Sequence, residues 1–145
     1  MKNLQQLKVK NFSQHWLDLF ELYPQKALLI LLYNNQCLGC TGRAIPFANQ
    51  MRENYKQVQV IGIHVNFSQT VITSREEILS IFTVNELPFP IFLDEEAKIY
   101  HHFQAEGTPQ WLIFDKKHQL YRSIFGSQGN AQNRVIYALE ELHSD

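Results

Sequence analysis

The stretch Ala27-Leu28-Leu29-Ile30-Leu31-Leu32-Tyr33-Asn34-Asn35-Gln36-Cys37-Leu38-Gly39-Cys40 decides the fold. Its first seven residues are apolar without alternation, the pattern of a strand covered on both faces. Asn34 to Gln36 break the run, and two cysteines follow three apart. Next, Ala44, Phe47, Ala48, Met51 and Tyr55 recur at helical steps and make one apolar face. A buried strand that turns directly into a helix, with cysteines at the junction, points to an open α/β sheet with its chemistry at a strand end.

Outward from this junction the same alternation continues. Ser13 reads as the cap of an early helix bearing Trp16, Leu17, Phe20 and Leu22, ended by Pro24. Pro46 should kink the helix after the cysteines. Val58 to Val65 reads as a second buried strand. Ser74-Arg75-Glu76-Glu77 is a capping box opening a helix through Ile78, Ile81 and Phe82. Leu87-Pro88-Phe89-Pro90 leads into a short strand at Ile91 to Leu93, and Glu95 to Phe103 reads as a short helix. Trp111 to Phe114 and Leu120 to Phe125 form a hairpin, and Asn130 caps a last helix. The expected fold is one domain over residues 1–145, with a mostly parallel central sheet, a C-terminal antiparallel hairpin and helices on both faces.

Composition narrows the function. The chain has 145 residues, 45% of them apolar, and a net charge of −1 with cations scattered among acids. No basic stripe offers itself to nucleic acid or an anionic membrane. Met1 to Lys10 lacks the apolar stretch of a signal peptide, and the apolar run at Ala27 is too short to span a bilayer, so the expectation is a soluble, cytoplasmic protein.

With only two cysteines, a disulfide scaffold is excluded and redox chemistry is favoured. A thiolate attacks a disulfide, and a free thiol with a pKa of about 8.5 is mostly protonated at neutral pH. Cys37 precedes a helix N-terminus, whose unpaired N–H groups and partial positive charge favour the thiolate. Arg43 adds a cation if it folds back. Cys40, one turn further in, is less exposed and reaches Cys37 along the same face. The roles follow: Cys37 attacks, Cys40 resolves.

The pair also suits half of a zinc or iron–sulfur site, but no second pair of ligands has the spacing such a site needs. His101-His102 and the isolated His15, His64, His118 and His143 read as ordinary residues, and no metal or other cofactor is expected. Trp16 reads as a core residue, and Trp111 either as core, the favoured reading, or as an apolar surface near Pro109 for partner proteins.

Taken together, these residues resemble the thioredoxin superfamily, in particular its TlpA- and ResA-like thiol–disulfide oxidoreductases, a branch related to AhpC/TSA proteins. The resemblance runs from Trp16 to Leu142 through the Cys37–Cys40 motif, Pro46, the Leu87-Pro88-Phe89-Pro90-Ile91 strand entry, Gly107-Thr108-Pro109 and Gly126. It implies a thioredoxin-like fold, a cis Pro109 facing the cysteines, and a Thr108 backbone free to pair with an extended substrate. It implies exchange of disulfides with protein thiols and with a redox partner, reductase or oxidant; a monomer is expected, though nothing in the sequence fixes the oligomeric state. Gln36 stands where the family usually has Trp, and Gly39 where it often has Pro. Leu31 and Arg43 stand where related branches keep an acid, which leaves the proton acceptor for Cys40 unassigned. Two rival readings remain: a peroxiredoxin with Cys40 as the peroxide-attacking residue, and a binding module or copper carrier using the two thiols.

Overall fold

The computed structural model describes residues 4–82 and 86–143. Its centre is β3 (Ala27–Tyr33), in which every residue from Leu28 onward is fully buried. β3 pairs in parallel with β4 (Val58–Val65) on one side and antiparallel with β6 (Gln110–Phe114) on the other. The strand therefore has no free edge and no free face, which is why its sequence is apolar throughout. Leu29, Leu31 and Tyr33 face one core, and Leu28, Ile30 and Leu32 face a second. The first core is completed by α2 (Ile45–Asn54) and α5 (Gly129–His143). The second is completed by α1 (Leu19–Leu22), α4 (Lys98–His102) and the N-terminal segment.

The sheet has seven strands in the order β2-β1-β5-β4-β3-β6-β7, with β1 at Lys8–Lys10, β2 at Trp16–Asp18, β5 at Ile91–Asp94 and β7 at Leu120–Phe125. Only β3–β4 and β4–β5 are parallel; the other four pairings are antiparallel, which corrects the expectation of a mostly parallel sheet. Two of the unexpected antiparallel pairings come from the N-terminal strand β1, and the third, β3–β6, from the link between β5 and β6. That link contains a five-residue helix, α4, which advances about 8 Å at the helical rise. A five-residue strand needs about 17 Å. The link does not carry the chain across the sheet: it re-enters from the end it left, and β6 runs against β3.

The early helix is also corrected. Trp16 and Leu17 lie in β2, and α1 starts only at Leu19, capped by Asp18 rather than Ser13. β1 and β2 form a hairpin that buries Leu7 and Val9 and leaves Trp16 about half exposed, not in the core, with the Lys10 ammonium 4.9 Å from its ring centroid. Farther along, α3 (Arg75–Leu79) has the expected Ser74 cap but stops before Ile81 and Phe82. The helix read from Glu95 is broken at its start, because Glu96 and Ala97 are left-handed. α5 starts at Gly129, one residue before the expected cap. The hairpin β6–β7 lies where its sequence placed it.

Asp18 joins two elements. Its Oδ1 accepts from Leu7 N at 2.9 Å, at the entry to β1, and from Phe20 N at 3.1 Å, in α1. Removing it strands two buried donors. Asp18→Ala should lower unfolding stability by about 2 kcal/mol, and Asp18→Asn, which keeps a side-chain oxygen, by less than half of that. Urea unfolding measures both.

Candidate active site

β3 ends at Tyr33, and the next three residues are a built turn rather than a loose break. Asn34 Oδ1 accepts from Gln36 N at 2.9 Å, Asn34 O accepts from Cys37 N at 3.0 Å, and Asn34 Nδ2 donates to Val65 O at 2.9 Å. Asn35 donates from its backbone to His64 Nε2 at 3.2 Å and from Nδ2 to Glu77 O at 2.6 Å. The turn is thereby tied to the end of β4 and to α3. None of these anchors was assigned from the sequence. The turn preference of asparagine and a histidine inside the apolar run Val58–Val65 were the available signals.

Cys37 sits at the head of the helical run. Leu38 and Gly39 are already helical, Cys40–Ala44 form a π turn, and α2 follows with Pro46 in its first turn. The widened turn lies ahead of the proline, where the sequence suggested a kink. Cys37 and Cys40 are joined by a disulfide, with their Cα atoms 5.2 Å apart. The two are unequal. Cys37 is partly exposed, and its Sγ accepts from Cys40 N at 3.1 Å. Cys40 is fully buried among Leu31, Tyr33, Ala44 and Trp111.

The opposite wall comes from the start of β6. The Thr108–Pro109 peptide is cis, and the Thr108 carbonyl oxygen lies 3.4 Å from Cys37 Sγ. Pro109 is buried, and its carbonyl accepts from Gly126 N at 3.0 Å. Gly39 explains the fit between the walls: a Cβ there would stand 2.8 Å from Ser127 Oγ and 4.0 Å from Pro109 Cδ. Trp111 is fully buried, and its indole N–H donates to Gly126 O at 2.8 Å. Beside Cys37 a cleft of about 520 Å³ is lined by Gln36, His64, Phe67, Val71, Ile72 and Thr108.

The structure brings Cys37, Cys40, Thr108 and Pro109 together. Arg43 is not among them: it is exposed on the π turn, with no hydrogen bond or ion pair among the described residues. Leu31, where an acid was missing from the sequence pattern, is fully buried beneath the pair. His101 and His102 are exposed on α4, and no group of three metal-ligating side chains occurs among the described residues. No described helix is long and apolar enough to cross a membrane.

A cysteine pair on a strand-to-helix junction, faced by a proline across a narrow gap, defines a thioredoxin-like protein with a redox disulfide of the Cys-x-x-Cys type. The chain belongs to the AhpC/TSA family, whose model matches residues 2–123. It is 27% identical over 126 residues to the thiol-disulfide oxidoreductase YkuV of Bacillus subtilis, covering 83% of this chain and 84% of that protein. Among solved structures it is similar to a thiol-disulfide isomerase from Corynebacterium glutamicum, with TM-score 0.79 and 22% identity over 99% of this chain and 97% of that one. It is also similar to the thioredoxin-like superfamily protein SPOA0173, with TM-score 0.80 and 21% identity over 100% and 98% of the two chains. These structural likenesses bear on the fold.

The unequal burial has a direct readout. After reduction, brief treatment with iodoacetamide should label Cys37 at least about tenfold faster than Cys40, because alkylation follows exposure and thiolate character. Mass spectrometry of the digested protein gives the ratio; equal labelling, or preference for Cys40, contradicts the assignment.

Proposed function

We propose that the protein is a thiol–disulfide oxidoreductase in which Cys37 attacks a disulfide of a protein substrate and Cys40 resolves the product. The observation that carries this reading is the asymmetry of the pair. One sulfur borders a cleft at a helix start, and the other is sealed one turn below.

The chemistry balances without a further cofactor. The Cys37 thiolate attacks one substrate sulfur, the substrate S–S bond breaks, and the other substrate sulfur leaves as a thiolate. Cys40, deprotonated, then attacks Cys37 Sγ. The second substrate sulfur leaves, and the Cys37–Cys40 bond forms. The substrate gains two electrons, the protein loses two, and a second redox partner returns the protein to the dithiol. The same steps run backwards when the disulfide form oxidises a dithiol. Thr108 and Pro109 serve this exchange by holding an extended substrate segment beside Cys37. The peroxidase reading asks the buried Cys40 to meet peroxide first, and the exposure of Cys37 argues against that order.

Two variants test the roles. Cys40→Ser keeps the attacking thiol and removes the internal exit, whose effective concentration far exceeds that of any free thiol. Affinity-tagged Cys40→Ser protein recovered from cells should carry disulfide-linked partners on a non-reducing gel, lost on adding dithiothreitol. Cys37→Ser should carry less than about a tenth as much, the same disparity expected for alkylation. Trapping by neither variant, or more by Cys37→Ser, refutes the assignment.

Pro109→Ala tests the substrate wall. It should lower kcat/KM toward a protein disulfide by about tenfold or more, the scale on which small misplacements act, while costing no more than about 1–3 kcal/mol of stability. Turnover of a reducible protein substrate and urea unfolding supply the two numbers.

A further inference from the structure

His64 lies on β4 among Val60, Ile61, Ile63 and Val65, and is 2% exposed. A hydrocarbon side chain would fill that place without the cost of a buried polar ring, so packing does not account for an imidazole. Its hydrogen bonding does. Nε2 accepts from Asn35 N at 3.2 Å, which puts the hydrogen of the neutral ring on Nδ1. Nδ1 is buried with no hydrogen-bond partner among the described residues. The imidazole therefore meets one obligation, and that obligation is to the turn that presents Cys37. Cys37 and His64 also line the same cleft.

We propose that His64 is a positioning residue, which holds the Asn34–Cys37 turn in the geometry for attack only while its ring is neutral. This rests on the reading of Cys37 as the attacking thiol. On protonation Nε2 acquires a hydrogen that faces the Asn35 N–H, and an attraction becomes a repulsion. The turn then loses its link to β4 at Asn35, although Asn34 remains tied to Val65.

The surroundings set the direction. From β3, Tyr33 meets the His64 ring edge-on at 5.3 Å between centroids, and burial holds its phenol neutral, far above its usual range. From α3, the Glu77 carboxylate favours the protonated ring. On β5, the register partner of His64 is the apolar Leu93; Asp94 pairs with Val65 and accepts from Ile99 N and Tyr100 N. Arg75, also on α3, lies over the Phe12 ring. Within the cleft, the titratable groups beside His64 are Glu77 and Cys37. Burial is the larger influence and lowers the His64 pKa against the pull of Glu77. The neutral ring's contribution is thus complete above the ordinary value of about 6.5 and is lost as pH falls through the lowered one.

The test uses the reduced full-length protein and 4,4′-dithiodipyridine, a small disulfide open to any accessible thiolate. Stopped-flow rates of thiopyridone release are taken from pH 3.5 to 8. Each is divided by the Cys37 thiolate fraction from ultraviolet absorbance and by the 2-mercaptoethanol rate at the same pH, itself divided by that thiol's own thiolate fraction, so that only protonation of the probe cancels. The corrected rate should hold a plateau and then fall about tenfold at the pH where the His64 ring titrates by NMR. His64→Gln places an acceptor oxygen near the Nε2 position; it should keep the plateau and lose the acid fall. His64→Asn, whose shorter amide stops near the Nδ1 position, should react about tenfold slower across the range. A flat profile in the native protein, an acid fall retained in His64→Gln, or equal rates for the two variants overturns the proposal. The comparison of native protein with His64→Gln decides the matter even if His64→Asn does not fold. Because the probe requires only a thiolate, failure to turn over protein disulfides, alongside the expected His64 series, would reject the oxidoreductase reading and leave the positioning role intact.

Discussion

β3 is held on four sides, and the rest of the molecule follows from that confinement. Two neighbouring strands take its backbone groups, and two cores take its side chains. Any residue with a charge along it would be costly by several kcal/mol, which is why its length is set by where polar residues begin. The first polar residue, Asn34, marks the place where the chain leaves the sheet, and the cysteines fall one turn beyond. The position of the redox pair is thus fixed by the edge of an apolar layer, and the helix that follows has no choice but to begin there.

The electrostatic support for Cys37 is local. Leu31 beneath the pair offers no charge, and Arg43 stays in solvent. What remains is the helix end and the Cys40 N–H at 3.1 Å. A hydrogen bond to a charged acceptor is worth about 1.5–3 kcal/mol, against about 0.3–1 kcal/mol for the field of a helix end. The single N–H is therefore the larger support for a thiolate at Cys37. It also depends on the turn before Cys37 keeping its shape, which is where the asparagines and His64 enter. Sulfur chemistry here is governed by backbone placement rather than by an adjacent acid or base.

Much of this was legible in the sequence. The apolar runs gave β3, β4 and the final hairpin, and the cysteine pair lies where strand and helix patterns meet. Strand direction was not legible, because local periodicity is the same for parallel and antiparallel neighbours. The N-terminal hairpin was missed for a different reason. Leu7 and Val9 alternate with lysines, but over four residues that signal is weak, and Trp16, Leu17 and Phe20 also fit a helical spacing. At the site, the sulfurs and the Gly-Thr-Pro turn were readable from residue type. The anchors were not: Asn34 reaches Val65, and Asn35 reaches His64 and Glu77, across about thirty to forty positions of chain. Such bonds exist only after the sheet has formed, so no pattern within a window contains them.

The π turn at Cys40–Ala44 has a meaning of its own. A turn closed by Ile45 N donating to Cys40 O holds one residue more than an α turn. That surplus residue leaves the cysteines at the start of the helix and still returns Phe47, Ala48 and Met51 to the core. Gly42 is exposed at this swelling, with nothing within 4 Å of where its Cβ would be. The swelling thus takes up one residue between the cysteines and the core face of α2 at a point where the chain meets solvent.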